Sequence, residues 1–183
     1  MKIIAGKYKG RNFYMPAGIR PSQGILREAI FDLLGHDLEG VSFLDLFAGS
    51  GAVGLEAISR GAKEVVMVER DPKCAKVIRE NLDLLGITAG FDHQLLNADC
   101  FATVKQMSLK NRRFDLVFFD PPYGIGGAKK TLKLLGGYDI LHPHSLVLGK
   151  YDKADEDDPP EGLKLVEKRR YGSSYLTIYQ RVK

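Results

Sequence analysis

Asp120-Pro121-Pro122-Tyr123 combines one carboxylate, two prolines and an aromatic ring in four consecutive positions. It follows the apolar run Phe114-Asp115-Leu116-Val117-Phe118-Phe119. An extended run of that composition, cut off by proline, predicts a buried strand ending at the first proline. The end of such a strand can hold a planar amine. Asp120 and a prolyl carbonyl accept its hydrogens, and Tyr123 stacks on the ring that carries it. A strand followed by a structural Pro-Pro loop accounts for the same residues without chemistry.

A glycine turn upstream favours the chemical reading. In Phe43-Leu44-Asp45-Leu46-Phe47-Ala48-Gly49-Ser50-Gly51 an apolar strand runs into small residues, and a helix is expected to open at about Gly51. Glycines there let a ligand approach the backbone, and the helix start offers free N–H groups. Roughly 20 residues on, the strand Glu64–Glu69 ends in an acid suited to the hydroxyls of a ribose, with Arg70 next to it. Gly49-Ser50-Gly51-Ala52-Val53-Gly54 also fits the dinucleotide fingerprint, so a nicotinamide enzyme competes. Two acids argue for a nucleoside without a pyrophosphate. Asp45, on the strand before the turn, suits the ammonium of an amino-acid moiety. Asp99, followed by Cys100, ends a third apolar segment, Phe91 to Ala98, where an adenine edge could be read. An aminoacyl group, a ribose and a base describe S-adenosylmethionine (AdoMet) better than NAD.

The pairing of Asp45-Leu46-Phe47-Ala48-Gly49-Ser50-Gly51 with Asp120-Pro121-Pro122-Tyr123 resembles the class I AdoMet-dependent amino-methyltransferases of nucleic acids. Arg20-Pro21-Ser22, Arg27-Glu28-Ala29-Ile30-Phe31-Asp32 and Lys168-Arg169-Arg170-Tyr171-Gly172 narrow the resemblance to the bacterial 16S rRNA guanine-N2-methyltransferase family, over nearly the whole chain. That resemblance implies methylation of a guanine N2 in 16S rRNA, with S-adenosylhomocysteine as product and no metal. Because a chain of this length leaves little room for a separate recognition domain, folded rRNA or a small-subunit assembly intermediate is the expected substrate. The chain departs from the family pattern at two places. The arginine-proline motif continues Ser22-Gln23-Gly24, and Gly149-Lys150 stands where members often carry an acid near the end of the fifth strand. The same Asp-Pro-Pro-Tyr chemistry would serve a DNA adenine-N6 methyltransferase, which usually needs an added recognition domain. A non-catalytic RNA-binding protein would leave the strand-end acids without a task.

These residues need a scaffold that delivers them to one edge. At 183 residues a single domain is expected, spanning 1–183 with residues 1–16 as an N-terminal hairpin. From Val41 onward strands and helices alternate, and the tail reads as two strands, Leu163–Arg170 and Ser173–Arg181, joined through Tyr171-Gly172. The expected fold is therefore α/β: a Rossmann-like, mostly parallel sheet with one antiparallel strand. In such sheets ligands bind at the carboxyl ends of strands, where Gly49, Glu69, Asp99 and Asp120 all fall. Further helices are expected from Ser22 as N-cap to Gly35, from Asp71-Pro72 to Gly86, over Cys100–Leu109 and over Gly127–Leu135. A buried strand is expected over Ser145–Leu148.

The net charge is +4, and its placement says more than its size. Lys7, Lys9 and Arg11 alternate with Tyr8, Phe13 and Tyr14, a pattern suited to phosphate contact and base stacking, or else to a hairpin capping an apolar edge. Arg20, Arg27, Lys168, Arg169 and Arg170 complete the expected RNA contacts. The acidic run Asp152–Pro160 reads as a solvated loop away from RNA. Cys74 and Cys100 read as free thiols of a cytoplasmic protein. His142-Pro143-His144 reads as an exposed turn and not a metal site. No run of 18 apolar residues suggests a membrane span.

Overall fold

The computed structural model describes residues 1–16, 24–122, 126–152 and 158–182. Arg20, the Ser22 cap, most of the expected 16–21 linker, Tyr123 and the centre of the acidic run lie outside these residues. The chain divides into two compact units, Met1–Asp99 and Cys100–Lys183.

In the first unit, α1 (Gly24–Leu34) precedes an alternation of β1 (Ser42–Leu46), α2 (Ala52–Ser59), β2 (Glu64–Val68), α3 (Pro72–Leu85) and β3 (His93–Leu96). The central strands read SFLDL and EVVMV and are buried almost throughout. Continuous apolar strands of this kind belong to a parallel sheet covered on both faces. β2 pairs in parallel with both β1 and β3. α3 begins as its sequence dictates: the Asp71 carboxylate accepts from Lys73 N at 2.8 Å, and Pro72 occupies the first turn. Ala75, Ile78, Leu82 and Leu85 form its buried face, and Gly86 ends it. The third apolar segment is shorter than expected. β3 covers His93–Leu96 only, and Phe91 stands 83% exposed.

The N-terminal segment folds back on itself, with Lys2 bridging Asn12 and Phe13 N donating to the Met1 carbonyl. It lies against the body, as the capping alternative described. Ile3 and Phe13 are buried, Ile4 N and Ala5 N donate to the Glu56 carboxylate at 2.9 Å each, and Asn81 exchanges two hydrogen bonds with the Tyr14 backbone.

The second unit contains α4 (Cys100–Leu109), β4 (Phe114–Phe119), α5 (Gly127–Gly137), β5 (Leu141–Asp152), β6 (Leu163–Tyr171) and β7 (Ser174–Arg181). β5 runs parallel to β4, and β7 is antiparallel to both β5 and β6. β7 is thus the reversed strand of the second unit, whose strands lie in the order β4-β5-β7-β6, and those of the first lie in the order β3-β2-β1. β5 begins earlier than Ser145. Its pairing with β4 jumps from Leu141 to Leu146, and His142-Pro143-His144 bulges outward and is exposed. Among the described residues no group of three potential metal ligands occurs, and no helix is long and apolar enough to cross a membrane.

Candidate active site

The glycine turn of the first unit is held by two carboxylates. Asp45, on β1, is buried, and its Oδ2 accepts from Gly54 N at 3.0 Å in the first turn of α2. Glu69, just past β2, accepts from Gly49 N at 2.7 Å through Oε2 and from Asp71 N at 2.8 Å through Oε1. Ala48 N donates to the Val68 carbonyl, and Gly51 N donates to that of Ala48. Phe47 is held at φ 65°, which is uncommon for a bulky residue and identifies a backbone fixed by its surroundings. Gly51 has φ 75°, and a Cβ there would fall 3.0 Å from Ile78 Cγ1. Phe47, Ala48 and Gly49 stay half-buried while Ser50 is buried, so the near side of the turn is open backbone.

Asp45, at 1% exposure, thus holds the first turn of α2 through one carboxylate oxygen and supports the glycine turn from below. Glu69 brings negative charge to the edge of the turn, where the hydroxyl donors of a ribose suit it. The arrangement suits a cofactor that brings a positive charge and hydroxyl donors. AdoMet, with its sulfonium, ammonium and ribose, has that character. Arg70 and Asp99 are exposed, Asp99 directly before α4, and Cys100 is buried as the first residue of that helix.

In the second unit the Asp-Pro-Pro turn follows β4 directly. Phe119 pairs with Gly149 across β4 and β5, so the next residue of each strand, Asp120 and Lys150, stand side by side. Lys150 Nζ donates to Asp120 Oδ2 at 2.7 Å, with only 13% and 20% of the two side chains exposed. Burial pushes the Asp120 carboxyl above the usual carboxylate range, and the Lys150 ammonium opposes that rise. Gly149 is required by packing: a Cβ there would overlap the Phe119 ring, which stacks on Tyr151. The first turn of α5 also abuts the motif, because a Cβ on Gly127 would lie 2.7 Å from Pro121 Cβ. Pro121 is buried and Pro122 exposed, so the turn is clamped on one side and open on the other.

Of the expected RNA contacts, Lys7, Lys9, Arg11, Lys168, Arg169 and Arg170 are exposed. Arg169 is paired with Glu167, and Lys168 lies over the Tyr175 ring. Arg27 is corrected. It is 2% exposed, donates to the Lys2 carbonyl at 2.6 Å and faces Glu56 at 3.7 Å, so no phosphate reaches it. Its place on the inner face of α1, beside Leu26 and Ile30, is the signal that marks it as internal. Glu56, fully buried between Arg27, Arg60 and the N-terminal amides, was missed as an anchor. An acid inside the otherwise apolar helix Ala52–Ser59 could have revealed it.

Comparison with known proteins agrees with this layout. The family described as conserved hypothetical protein 95 matches residues 1–180. A candidate rRNA methyltransferase of Bacillus subtilis is 32% identical over 184 residues, covering 99% of each chain. Ribosomal RNA small subunit methyltransferase D of Haemophilus influenzae is 31% identical over 185 residues, covering 98% of this chain and 93% of its own. The solved structure of a candidate methyltransferase from Escherichia coli superposes with a TM-score of 0.87 at 30% identity, covering 99% and 97% of the two chains.

Proposed function

The chain belongs to the conserved hypothetical protein 95 family, that of the small-subunit rRNA methyltransferases it matches, and from that premise we propose that it is an AdoMet-dependent methyltransferase acting on the exocyclic N2 of a guanine in 16S rRNA. The observation that carries the reading is the Asp120-Pro121-Pro122 turn at the end of β4, with a clamped backbone and a half-buried carboxylate. An amine conjugated into a purine ring is a weak nucleophile. Accepting its N–H groups raises the electron density on nitrogen and stabilises the positive charge that develops during attack.

AdoMet supplies a methyl group already activated by its sulfonium. What remains for the protein is to hold the reactants in line. Asp120 takes one N–H of the target amine and the Pro121 carbonyl takes the other. Pro122 shapes the open side of the turn, and Tyr123 stacks on the base. Such a base must first leave its own stack. Phe47, Ala48, Gly49, Ser50 and Gly51 cradle the cofactor, Glu69 and Arg70 bound its ribose, and Asp99 and Cys100 flank its adenine. Lys7, Lys9, Arg11, Arg20 and Lys168–Arg170 hold phosphates. The enzyme works as one domain over residues 1–183, in the cytoplasm, on rRNA presented in a small-subunit assembly intermediate.

The test is to offer naked 16S rRNA, partly assembled 30S particles and duplex DNA in parallel with labelled AdoMet, and to identify the product nucleoside by mass spectrometry. N2-methylguanosine in the rRNA is expected, most abundantly from the particles. Methyladenine in the DNA would replace this reading with the adenine-N6 one.

A further inference from the structure

We propose that Lys150 is a positioning residue for the methyl transfer: its ammonium fixes the orientation and charge of the Asp120 carboxylate, so that one oxygen is committed to lysine and the other is directed to the target amine. The inference rests on the function proposed above and goes beyond it by assigning a residue outside the Asp-Pro-Pro-Tyr motif.

The geometry is built into the sheet. Phe119 and Gly149 are register partners on adjacent parallel strands, which places Asp120 and Lys150 next to one another at their carboxyl ends. Nζ and Oδ2 are 2.7 Å apart, the length of a charge-assisted hydrogen bond, and both side chains are mostly withdrawn from solvent. A surface ion pair would be loosely held and screened, whereas this one is neither. The backbone on both sides is also constrained. Phe119 fills the space over Gly149, Thr177 Oγ1 donates to the Gly149 carbonyl at 3.2 Å, and Gly127 packs on Pro121. Neither partner can drift far without disturbing the core.

A cation beside a nitrogen that is itself becoming positive would oppose the reaction if it acted on that nitrogen directly. Lys150 therefore helps only through Asp120. A desolvated carboxylate tends to take up a proton, and a neutral acid is a poorer acceptor for the amine and cannot balance its developing charge. Lys150 from β5 is the charged group that counters this tendency. α5, the other element packed on the turn, carries Lys129 and Lys130 on its exposed side.

Lys150→Met keeps most of the unbranched stem and removes the charge. The Asp120 pKa should then rise, because burial remains and its opponent is gone. The acid limb of the kcat profile should move to higher pH by about one unit or more, each unit being a tenfold loss of the ionised form below the pKa. AdoMet affinity, measured by calorimetry, should change less than about twofold, and the KM for RNA should stay close to that of the wild type. Lys150→Arg should return the acid limb towards its original position, which a purely structural loss would not allow. The Asp120 titration, followed by NMR of selectively labelled aspartate, gives the same comparison without RNA and with a direct record of folding. A wild-type protein that methylates the rRNA, with an acid limb unmoved in Lys150→Met, would overturn the role of Lys150 alone. A wild-type protein that methylates no RNA would instead overturn the functional reading, and this role with it.

Discussion

Glu69 Oε2 accepts the Gly49 amide at 2.7 Å, tying the end of β2 to the glycine turn that follows β1. The same carboxylate accepts Asp71 N through its other oxygen, so one side chain fixes both the turn and the approach to α3. A residue expected only to meet a ribose therefore also builds the site that would receive it. Each carboxylate oxygen has a second lone-pair direction, so both tasks are compatible.

Glu69→Ala should weaken AdoMet binding by about 1–3 kcal/mol, the cost of losing hydrogen bonds to a charged group. It should also lower thermal stability, because two backbone amides lose their acceptor. Calorimetry and thermal unfolding on the same preparation separate these effects. Reduced stability with unchanged AdoMet affinity would mean that Glu69 only supports the turn.

Asp120→Ala should reduce turnover by orders of magnitude while leaving AdoMet affinity nearly unchanged, since the lost contact is with the target amine in the transition state. Tyr123→Ala should also impair turnover, and Tyr123→Phe much less, because stacking needs the ring and not the hydroxyl. Single-turnover rates at saturating AdoMet decide this. A Tyr123→Phe variant as slow as Asp120→Ala would contradict the stacking role.

The parallel strands and the α3 caps were legible because they are written locally. Apolar runs of five or six residues, Asp71-Pro72 and Gly86 each carry their own physical signal. Contacts made across long separations in sequence were not. Arg27 looked like one more basic residue in a positive segment, yet its partners, Lys2 and Glu56, lie 25 and 29 positions away. Lys150 stood out as a departure from a family pattern, but its meaning depends on strand register: β5 must pair with β4 so that Gly149 meets Phe119. Phe91 shows the opposite error. An apolar residue beside a strand was read into it, although it stands in the exposed approach to β3.

The buried Glu56 anchor predicts a folding defect that begins at the N-terminus. Its carboxylate accepts from Ile4 N, Ala5 N and Arg60 Nε and lies 3.7 Å from Arg27. Glu56→Ala leaves two buried guanidinium groups uncompensated, a loss of about 3–5 kcal/mol. Denaturant unfolding should show this loss, and limited proteolysis should cut within the first 16 residues before the rest of the chain. Arg27→Met, which removes charge and keeps bulk, should cost less. Equal resistance of wild type and Glu56→Ala to protease would show that Ile3, Phe13, Ser59 and Asn81 hold the segment without Glu56.

RNA affinity should depend on the exposed N-terminal cations and not on Arg27. Lys7, Lys9 and Arg11 project from a segment whose backbone is fastened to Ser59, Glu56 and Asn81, so their charges are presented from a fixed base. Replacing all three with Ala should weaken RNA binding and flatten the dependence of log K on log salt by about two, given roughly 0.7 released counterions per phosphate contact on single strands. AdoMet binding should be retained, because none of the three belongs to the cofactor's expected contacts. Arg27→Met should leave the salt slope unchanged even where it lowers stability. Filter binding across a salt series with a 16S rRNA fragment measures both slopes. A slope that falls in Arg27→Met but not in the triple variant would reverse the assignment and move the RNA contact to α1.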